Sequence, residues 1–331
     1  MERTNDQSLY PNVSLLSLNL FLRPPVIKTN ISDYKSARAR YFLDNIISKY
    51  EIVCLQEVFT SFSSRRKKIK KEAYRKGFKD FAESPNPGWF GRHLTDGGLL
   101  ILSKYPIVQK DFFGFSRSKM PDTLSLKGVL YAKLQINDKF VHLFTAHLQS
   151  SYPTSDYHKF LKYREIRRSQ IKEMREFMDR KIESSNELVI LVGDFNVNGR
   201  EEIKPPKFKD QECQDDYSCF INEISKGGKE EILDVLRMKF GYTPATYGRV
   251  DRNGNAIETV LSEKDETMSD EGLDHIFFCN IEKSIENDYK VHINMERTLV
   301  EPFYTPNQPF TQISDHAAVQ TSFTWLKNNM S

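Results

Sequence analysis

The sequence predicts an α/β protein in which two mixed β-sheets stack face to face and helices cover their outer sides. Apolar runs bounded by turn residues are typical of strands, and they occupy 13–20, 52–56, 98–103, 129–136, 140–147, 188–195, 275–278 and 317–323. Several runs are apolar on both faces, which favours sheets that are covered on both sides. Helical patterns occur at 33–49 and 155–183. Because strand pairs occur beside strand–helix alternation, two stacked sheets fit better than one doubly wound sheet.

The chain has 331 residues and shows neither an internal repeat nor a linker, so we expect a single domain over 1–331 with 1–10 flexible. The hydrophobic content of 39% and the charged content of 28% are ordinary for a folded protein. The net charge of +3 is a small difference between 48 basic and 45 acidic side chains. It does not call for a polyanionic partner, and no nucleic acid is expected.

The first ten residues lack the basic start and apolar stretch of a secretory signal. No apolar run approaches the ~18 residues of a membrane-spanning helix, so we expect a soluble protein, either cytoplasmic or secreted after removal of a leader. A monomer is expected. Cys213 and Cys219 border the polar segment QECQDDYSC and would form a local disulfide in an extracellular protein.

Three charged, Gly- and Pro-containing segments are interpreted as long loops, at 200–231, 242–273 and 281–313. Thr154 or Ser155 is the expected N-cap of the helix over 155–183. The basic run RRKKIKKEAYRK at 65–76 is interpreted as a helix with Ile69 and Ala73 facing inward. Its lysines then form a solvated face, or attract anionic lipid or nucleic acid.

Asp194 and Asn196 close the buried run LVILVGDFN. The two-residue period of a strand directs both side chains to the same side. A carboxylate there can orient a water molecule while the amide donates to a phosphate oxygen, a combination suited to phosphoryl transfer. The alternative is an ordinary turn at a strand end, where both residue types are common.

Asn19 lies inside the apolar run LSLNL, and Glu57 follows the apolar run in CLQEVF. A buried carboxylate without a partner is costly, and Mg²⁺ is a natural partner because it takes one or two carboxylates, waters and substrate phosphate. The alternatives are an asparagine bonded to backbone and a glutamate solvated at a loop.

Two further motifs carry histidines. His147 ends the run FTAHLQS, where a lone histidine is also compatible with a structural role. In ISDHAAV, Asp315 and His316 are adjacent and reach one site only from a turn. Asp274 in GLDHIFF is a plausible partner that would orient His316 and stabilise its protonated form. His275 then points away from the site.

The order of these motifs, with GGLLILSKYPI between Glu57 and His147, resembles the endonuclease/exonuclease/phosphatase superfamily across nearly the whole chain. The resemblance implies a four-layer α/β sandwich of the deoxyribonuclease type. It also implies magnesium at Glu57, with Asn19 and Asp315 beside it, and a reacting phosphate held by His147, Asn196 and His316.

The segment DTLSLKGVLYAKLQI at 122–136 looks like neutral sphingomyelinases, including the bacterial sphingomyelinase C group. Asp122 and Lys127 match an Asp and a Lys of that group that exchange between a paired and a substrate-engaged state. The resemblance implies hydrolysis of sphingomyelin to ceramide and phosphocholine at a membrane surface, with Asp194 or the Asp274–His316 pair as the base and His147 as a possible acid. Without the resemblance, an exposed loop lysine is the preferred interpretation of Lys127.

The aromatic hairpin by which secreted bacterial relatives enter lipid has no evident counterpart. Candidates for a membrane-facing rim, with ordinary packing as the alternative, are VEPFYTPNQPF at 300–310, Trp89–Phe90 and the cluster Phe112, Phe113 and Phe115. Rival functions are a nuclease of the same fold (an abasic-site endonuclease or a deadenylase), an inositol-polyphosphate phosphatase and a non-catalytic binding relative.

Overall fold

A computed structural model describes residues 10–87, 93–152, 156–182, 186–200, 215–262, 269–281 and 289–327. The strands in these ranges are β1 (Val13–Leu22), β2 (Ile52–Val58), β3 (Asp80–Glu83), β4 (Leu100–Ser103), β5 (Ile107–Gly114), β6 (Gly128–Ile136), β7 (Lys139–His147), β8 (Leu188–Asp194), β9 (Ile232–Asp234), β10 (Asp274–Cys279), β11 (Tyr289–Glu301) and β12 (Ala318–Lys327). The α-helices are α1 (Lys35–Asn45), α2 (Arg65–Arg75), α3 (Tyr157–Lys181), α4 (Asp216–Ile224) and α5 (Val235–Phe240).

The described strands form two six-stranded mixed sheets. The first sheet has the order β11-β12-β1-β2-β4-β3, and the second has the order β5-β6-β7-β8-β10-β9. One apolar core lies between the sheets. A second core joins the first sheet to α1 and α2, and a third joins the second sheet to α3 and α4. The predicted four-layer sandwich is confirmed.

Alternation along the central strands explains why their sequences are apolar on both faces. In β1, Leu15 belongs to the core between the sheets, whereas Leu16 belongs to the core under the helices. Successive side chains of a strand point to opposite faces. A strand with an apolar core on each side therefore needs apolar residues at nearly every position.

The strands that the sequence did not predict are β3, β5, β9 and β11, and they are the four edge strands of the two sheets. Four of the eight residues in β5 are polar or small, and β11 contains the charged residues Lys290, Glu296, Arg297 and Glu301. An edge strand has a neighbour on one side only, so it tolerates polar residues that would be excluded from the centre. The predicted loop at 281–313 is therefore wrong over the span of β11.

Two other local predictions are corrected. Asp156 caps α3 by accepting bonds from the backbone N–H groups of His158 and Lys159, at 2.9 and 3.3 Å; Thr154 and Ser155 lie outside the described residues. The predicted loop at 200–231 contains α4, whereas the described part of 242–273 has no helix or strand, as expected.

The proposed aromatic rim at Phe112, Phe113 and Phe115 is wrong, because these rings are packed rather than exposed. Phe113 stacks on Phe177 with ring centroids 5.6 Å apart, and Phe115 is buried. Trp89–Phe90 and Cys213 lie outside the described residues. Among the helices that the structure describes, none has the length and apolar character to cross a membrane.

The basic run forms α2, and Ile69 and Ala73 face the core as predicted. Arg66 is also buried, which the pattern did not indicate. Its guanidinium donates to the carbonyls of Val58 and Ser84, at 2.7 and 3.0 Å, and pairs with the buried carboxylate of Asp96. The hydrogen bond to Val58 fastens α2 to the end of β2, and the ion pair fastens it to the segment before β4.

We predict that Arg66→Leu destabilises the protein by about 3–5 kcal/mol, because it leaves the Asp96 carboxylate buried without its cation. Arg75→Leu is the matched control: that arginine is 60% exposed and pairs with Glu72 on the same helix, where a pair contributes about 0–1 kcal/mol. Urea denaturation measures both free energies of unfolding. Equal stabilities of the two variants would contradict a structural role for the buried pair.

Candidate active site

Strand register in the second sheet places three polar side chains side by side. His147 at the end of β7 is opposite Asp194 in the parallel pair of β7 and β8. Asp274 at the start of β10 is opposite the same Asp194 in the antiparallel pair of β8 and β10. Residues in register on neighbouring strands share a face. The ends of β7 and β8 and the start of β10 therefore lie together at one end of the sheet.

The first sheet contributes Asn19 and Glu57 from the adjacent strands β1 and β2, near the point where both strands end. Glu57 has a φ of 57°, which turns the chain at the end of β2. A side chain at Gly98 would approach the Glu57 Cα to 3.0 Å. Gly98 therefore permits the close backbone approach that this turn requires.

The side-chain amide of Asn19 connects the two sheets. Its Nδ2 donates to Glu57 Oε1 and to Asp194 Oδ2, both at 3.0 Å. Its Oδ1 accepts from the backbone N–H of Phe21 at 3.0 Å. In this arrangement Asn19 presents N–H groups to the carboxylates, so it positions Glu57 against Asp194.

His316 is held on the opposite side of Asp194. Its Nδ1 lies 2.8 Å from Asp274 Oδ2, and its Nε2 lies 3.8 Å from Asp194 Oδ2. The imidazole also packs on the Tyr247 ring, with centroids 4.9 Å apart. The predicted turn is present, since Ser314 bonds the backbone N–H of His316 at 3.3 Å. Asp274 therefore orients the ring, as the sequence predicts.

Burial and charge shift the acidity of these groups. Burial, reinforced by the charge of Asp274, raises the pKa of Asp194 to about 6. Burial, together with the charge of Glu57, raises the pKa of Asp315 to about 7. Burial acts to lower the pKa of His316, but the carboxylates of Asp274 and Asp194 outweigh it and hold that pKa well above its usual value.

Lys127 joins His147 to Asp122. Its Nζ lies 3.0 Å from Asp122 Oδ2 and 3.1 Å from His147 Nε2, and it donates to the carbonyl of Leu148 at 2.6 Å. Burial and the charge of Lys127 lower the pKa of His147 well below its usual value. Because an ammonium group only donates, the neutral His147 accepts through Nε2 and carries its proton on Nδ1.

Three groups that the sequence analysis missed hold Asp122. Gln149 Nε2 and the backbone N–H of Ser150 donate to Oδ2 at 2.8 Å each, and the Tyr152 hydroxyl donates to Oδ1 at 2.9 Å. All three follow His147 within five positions. The loop after β7 therefore positions Asp122, although nothing in its composition distinguishes it from an ordinary polar turn.

Asn196 lies in the left-handed region, with a φ of 51°, which asparagine tolerates better than most residues. Its backbone N–H donates to Asp194 Oδ1 at 3.0 Å, and its Nδ2 donates to the Leu148 carbonyl at 3.2 Å. The amide therefore lies beside Lys127, which donates to the same carbonyl.

Arg38 is a second missed contributor, from a helix where it would be expected on the surface. It is fully buried, and its guanidinium donates to the carbonyls of Leu20, Phe21 and Ile313 at 2.7–2.8 Å. Burial lowers its pKa to about 10. Arg38 therefore ties the end of β1 to the loop that carries Asp315 and leads to β12.

Contacts of 3.8 Å or less connect nine of the ten predicted site residues, namely Asn19, Glu57, Asp122, Lys127, His147, Asp194, Asn196, Asp274 and His316. Asp315 joins them through Ser314, whose hydroxyl lies 3.2 Å from Asp315 Oδ1 and also donates to the Asn19 carbonyl. His275 points elsewhere, bonding the Val197 carbonyl at 3.0 Å.

The donor groups suit a divalent cation in two places. Asp194, Asp274 and His316 are the described residues whose potential ligand atoms cluster within 4.8 Å of one another. The cation ligands predicted from the sequence differ from this cluster, since that prediction centres on Glu57 and Asp315. Asp274 Oδ1 is buried and has no hydrogen-bond partner in the described part of the chain. Burial raises the pKa of Asp194 and Asp315 because their carboxylate charge lacks compensation, and a bound cation would supply it.

Comparison with known proteins agrees with this geometry. Residues 32–316 match the family model described as the endonuclease/exonuclease/phosphatase family. A sphingomyelinase of Dictyostelium discoideum is 33% identical, with 91% of this chain and 76% of that protein aligned. Sphingomyelinase C of Bacillus cereus is also 33% identical, over 56% of this chain and 55% of that protein.

Solved structures show the same fold. The beta toxin of Staphylococcus aureus superimposes with a TM-score of 0.64 at 23% identity, covering 93% of this chain and 99% of the toxin. A variant of that toxin has been solved with bound magnesium ions, with a TM-score of 0.62 at 22% identity over 94% of this chain and 99% of the toxin. The chain is therefore a phosphodiesterase that belongs to the endonuclease/exonuclease/phosphatase family, with sphingomyelinases among its relatives.

Proposed function

We propose that the protein hydrolyses sphingomyelin to ceramide and phosphocholine, with Mg²⁺ as its cofactor and a peripheral contact with the membrane that holds the substrate. The observation that carries the proposal is the unbroken series of contacts from Asp122 through Lys127, His147 and Asp194 to His316. This series places an ammonium group and two imidazoles around one buried carboxylate. The 33% identity with a sphingomyelinase over 91% of the chain supports this substrate.

In the proposed reaction a water oxygen forms a bond to phosphorus as the bond from phosphorus to the ceramide oxygen breaks. The proton of the attacking water passes to the protein, and the ceramide alkoxide takes up a proton from solvent water, so that the protein returns to its starting state when it releases the first proton to solvent. Asp194, His316 and Asp274 act together as the acceptor, because their contacts of 3.8 and 2.8 Å make them one coupled group. Asp274 orients the imidazole that faces Asp194.

On the other side of Asp194, Lys127 and Asn196 bind the phosphate oxygens. His147 joins them when Lys127 turns to the phosphate, because its Nε2 no longer accepts from Lys127 and can carry the proton. In the structure Lys127 is paired with Asp122 and is almost completely buried. A substrate phosphate replaces Asp122 as its anionic partner, since both offer oxygen acceptors to a point charge. Once Lys127 has exchanged its partner, these donors stabilise the charge that develops in the transition state.

The carboxylates of Glu57 and Asp315 would hold the cation, and Asn19 would keep Glu57 in place. When bound, Mg²⁺ supplies positive charge that neutralises the phosphate and eases departure of the ceramide oxygen. Glu57 is half-buried, and Asn19 binds its Oε1. A partly open carboxylate with few protein bonds suits Mg²⁺, which retains waters and substrate oxygens.

The substrate is tested with a panel of sphingomyelin, phosphatidylcholine, an abasic DNA duplex and an inositol polyphosphate, each assayed with magnesium or a chelator. We expect the release of phosphocholine from sphingomyelin with magnesium only. His316→Ala should lower this rate by about 10²–10⁴-fold, because it removes the ring that couples Asp194 to Asp274 within the proton-accepting group. His292→Ala, at an exposed position of β11, is the control. Intact sphingomyelin under every magnesium condition would refute the substrate, and activity in the chelator would refute the cofactor.

The cation position is tested by magnesium titration in a calorimeter and in the assay. Substituting a residue that only supports a metal ligand lowers metal affinity by about 10–100-fold. Glu57 is itself a proposed ligand, so Glu57→Gln should weaken magnesium binding by at least this factor. Glu296→Gln, an exposed carboxylate on β11, should leave it unchanged. If Asp274→Asn weakens binding while Glu57→Gln does not, the cation lies instead in the cluster of Asp194, Asp274 and His316.

Lys127→Met should lower kcat by about 10²–10³-fold, the usual effect of removing one fixed donor to a developing oxyanion. Lys290→Met, at an exposed position of β11, is the control. Both are measured on detergent-dispersed sphingomyelin, together with thermal unfolding. A rise in KM at constant kcat would assign Lys127 to substrate binding alone and contradict its proposed effect on the transition state.

A further inference from the structure

Exposed apolar side chains are concentrated on the loops that border the candidate active site. Of the twelve large hydrophobic residues that are exposed in the described chain, six lie on these loops. We name them the apolar rim: Val26, Ile27, Ile31, Phe62, Leu94 and Met120. We propose that the apolar rim, together with a basic cavity beside it, docks the protein on a membrane that carries anionic lipid headgroups.

The rim is one continuous surface, because backbone and side-chain hydrogen bonds link its loops. Arg65 Nη2 donates to the carbonyl of Arg23 at 2.9 Å, which joins the loops after β1 and β2. Ser61 Oγ donates to the carbonyl of Leu94 at 3.2 Å, and the Leu94 N–H donates to the carbonyl of Leu124 at 2.8 Å. The exposed residues therefore share one end of the molecule.

The same loops lead directly from site residues. The loop with Val26 and Ile27 follows Asn19 on β1, Phe62 is five residues after Glu57, and Met120 precedes Asp122 by two residues. With Phe62 87% exposed, the rim projects beside the entrance to the phosphate-binding residues. This step rests on the proposed function: a site that hydrolyses a lipid has to face the bilayer, and the rim would then face it as well.

The cavity beside the rim supplies positive charge. It has a volume of about 480 Å³, and its basic lining residues are His93, Arg117, Lys119 and Lys162. Its lining also includes hydroxyl groups but no acidic side chain. Glu165, just outside, pairs with Lys162 at 2.9 Å and with Arg117 at 3.4 Å, and Glu173 accepts from the backbone N–H of the lining residue Ser116 at 2.8 Å. Two carboxylates therefore border three permanent cations, which leaves the cavity with a net positive charge.

The chain itself joins the cavity to the rim. Leu94 follows the cavity residue His93, and Met120 follows the cavity residue Lys119. Apolar side chains beside basic groups match a membrane surface, where the former enter the acyl boundary and the latter contact anionic headgroups. A protein partner would have no comparable reason to bind at the mouth of a lipid-hydrolysing site.

The test is cosedimentation of the full chain with vesicles that lack sphingomyelin, made of phosphatidylcholine with or without phosphatidylglycerol. The rim variant is Phe62→Ser with Leu94→Ser, and its control is Tyr74→Ser. Tyr74 is also well exposed, at 64%, but lies at the far end of α2. Removing two inserted side chains should weaken binding to both kinds of vesicle by at least about 10-fold. The control should bind like the wild type.

The cavity variant is Lys119→Gln with Lys162→Gln, compared with Lys290→Gln on β11. It should lose binding only to vesicles with phosphatidylglycerol, and added salt should reduce the difference from the wild type. Rim variants should hydrolyse a short-chain, water-soluble sphingomyelin at the wild-type rate. Equal vesicle binding by the wild type and the rim variant, or no binding by the wild type, would overturn the inference. Vesicle binding without hydrolysis of sphingomyelin would support the docking surface and refute the proposed function instead.

Discussion

The arrangement of the site depends on one buried side-chain amide, which bonds to both sheets. Asn19 donates to Glu57 on the first sheet and to Asp194 on the second, while Ser314 donates to its backbone carbonyl. The side proposed to bind the cation, the group proposed to accept the proton and the loop before His316 are therefore held at fixed separations. A shorter or apolar side chain here would leave two carboxylates facing each other without a shared donor.

Strand register is the second constraint, and it positions His147 and Asp274, which Asn19 does not contact. His147 and Asp274 are both opposite Asp194, one through a parallel and one through an antiparallel pair. A slip of one residue in either strand pair would turn His147 or Asp274 to the other face of the sheet. Apolar cores on both faces of β8 prevent such a slip, since Ile190 and Leu191 pack into different cores. Packing away from the candidate active site thus determines the distances between its residues.

The sequence indicated the interior strands and most of the site because both follow local rules: doubly covered strands are continuously apolar, and polar residues at their ends are conspicuous. It did not indicate the edge strands, whose polar residues resemble those of loops. Nor did it indicate Arg38 or Gln149, which act through contacts with residues distant in sequence. The apolar rim was missed for a related reason, since isolated apolar residues in loops acquire meaning only when folding brings the loops together.

The charges of the site residues are incompletely balanced by the protein itself. Burial and neighbouring carboxylates raise the pKa of Asp194 and Asp315, and one oxygen of Asp274 is buried without a partner in the described chain. Such groups oppose folding, because a buried charge is stabilised only by a partner. Their compensation by a cation and by protonated His316 would couple stability to ligand binding. The same imbalance would therefore favour the binding of a cation and, under the proposed function, of a phosphodiester beside it, whose charge Lys127 and the cation would share.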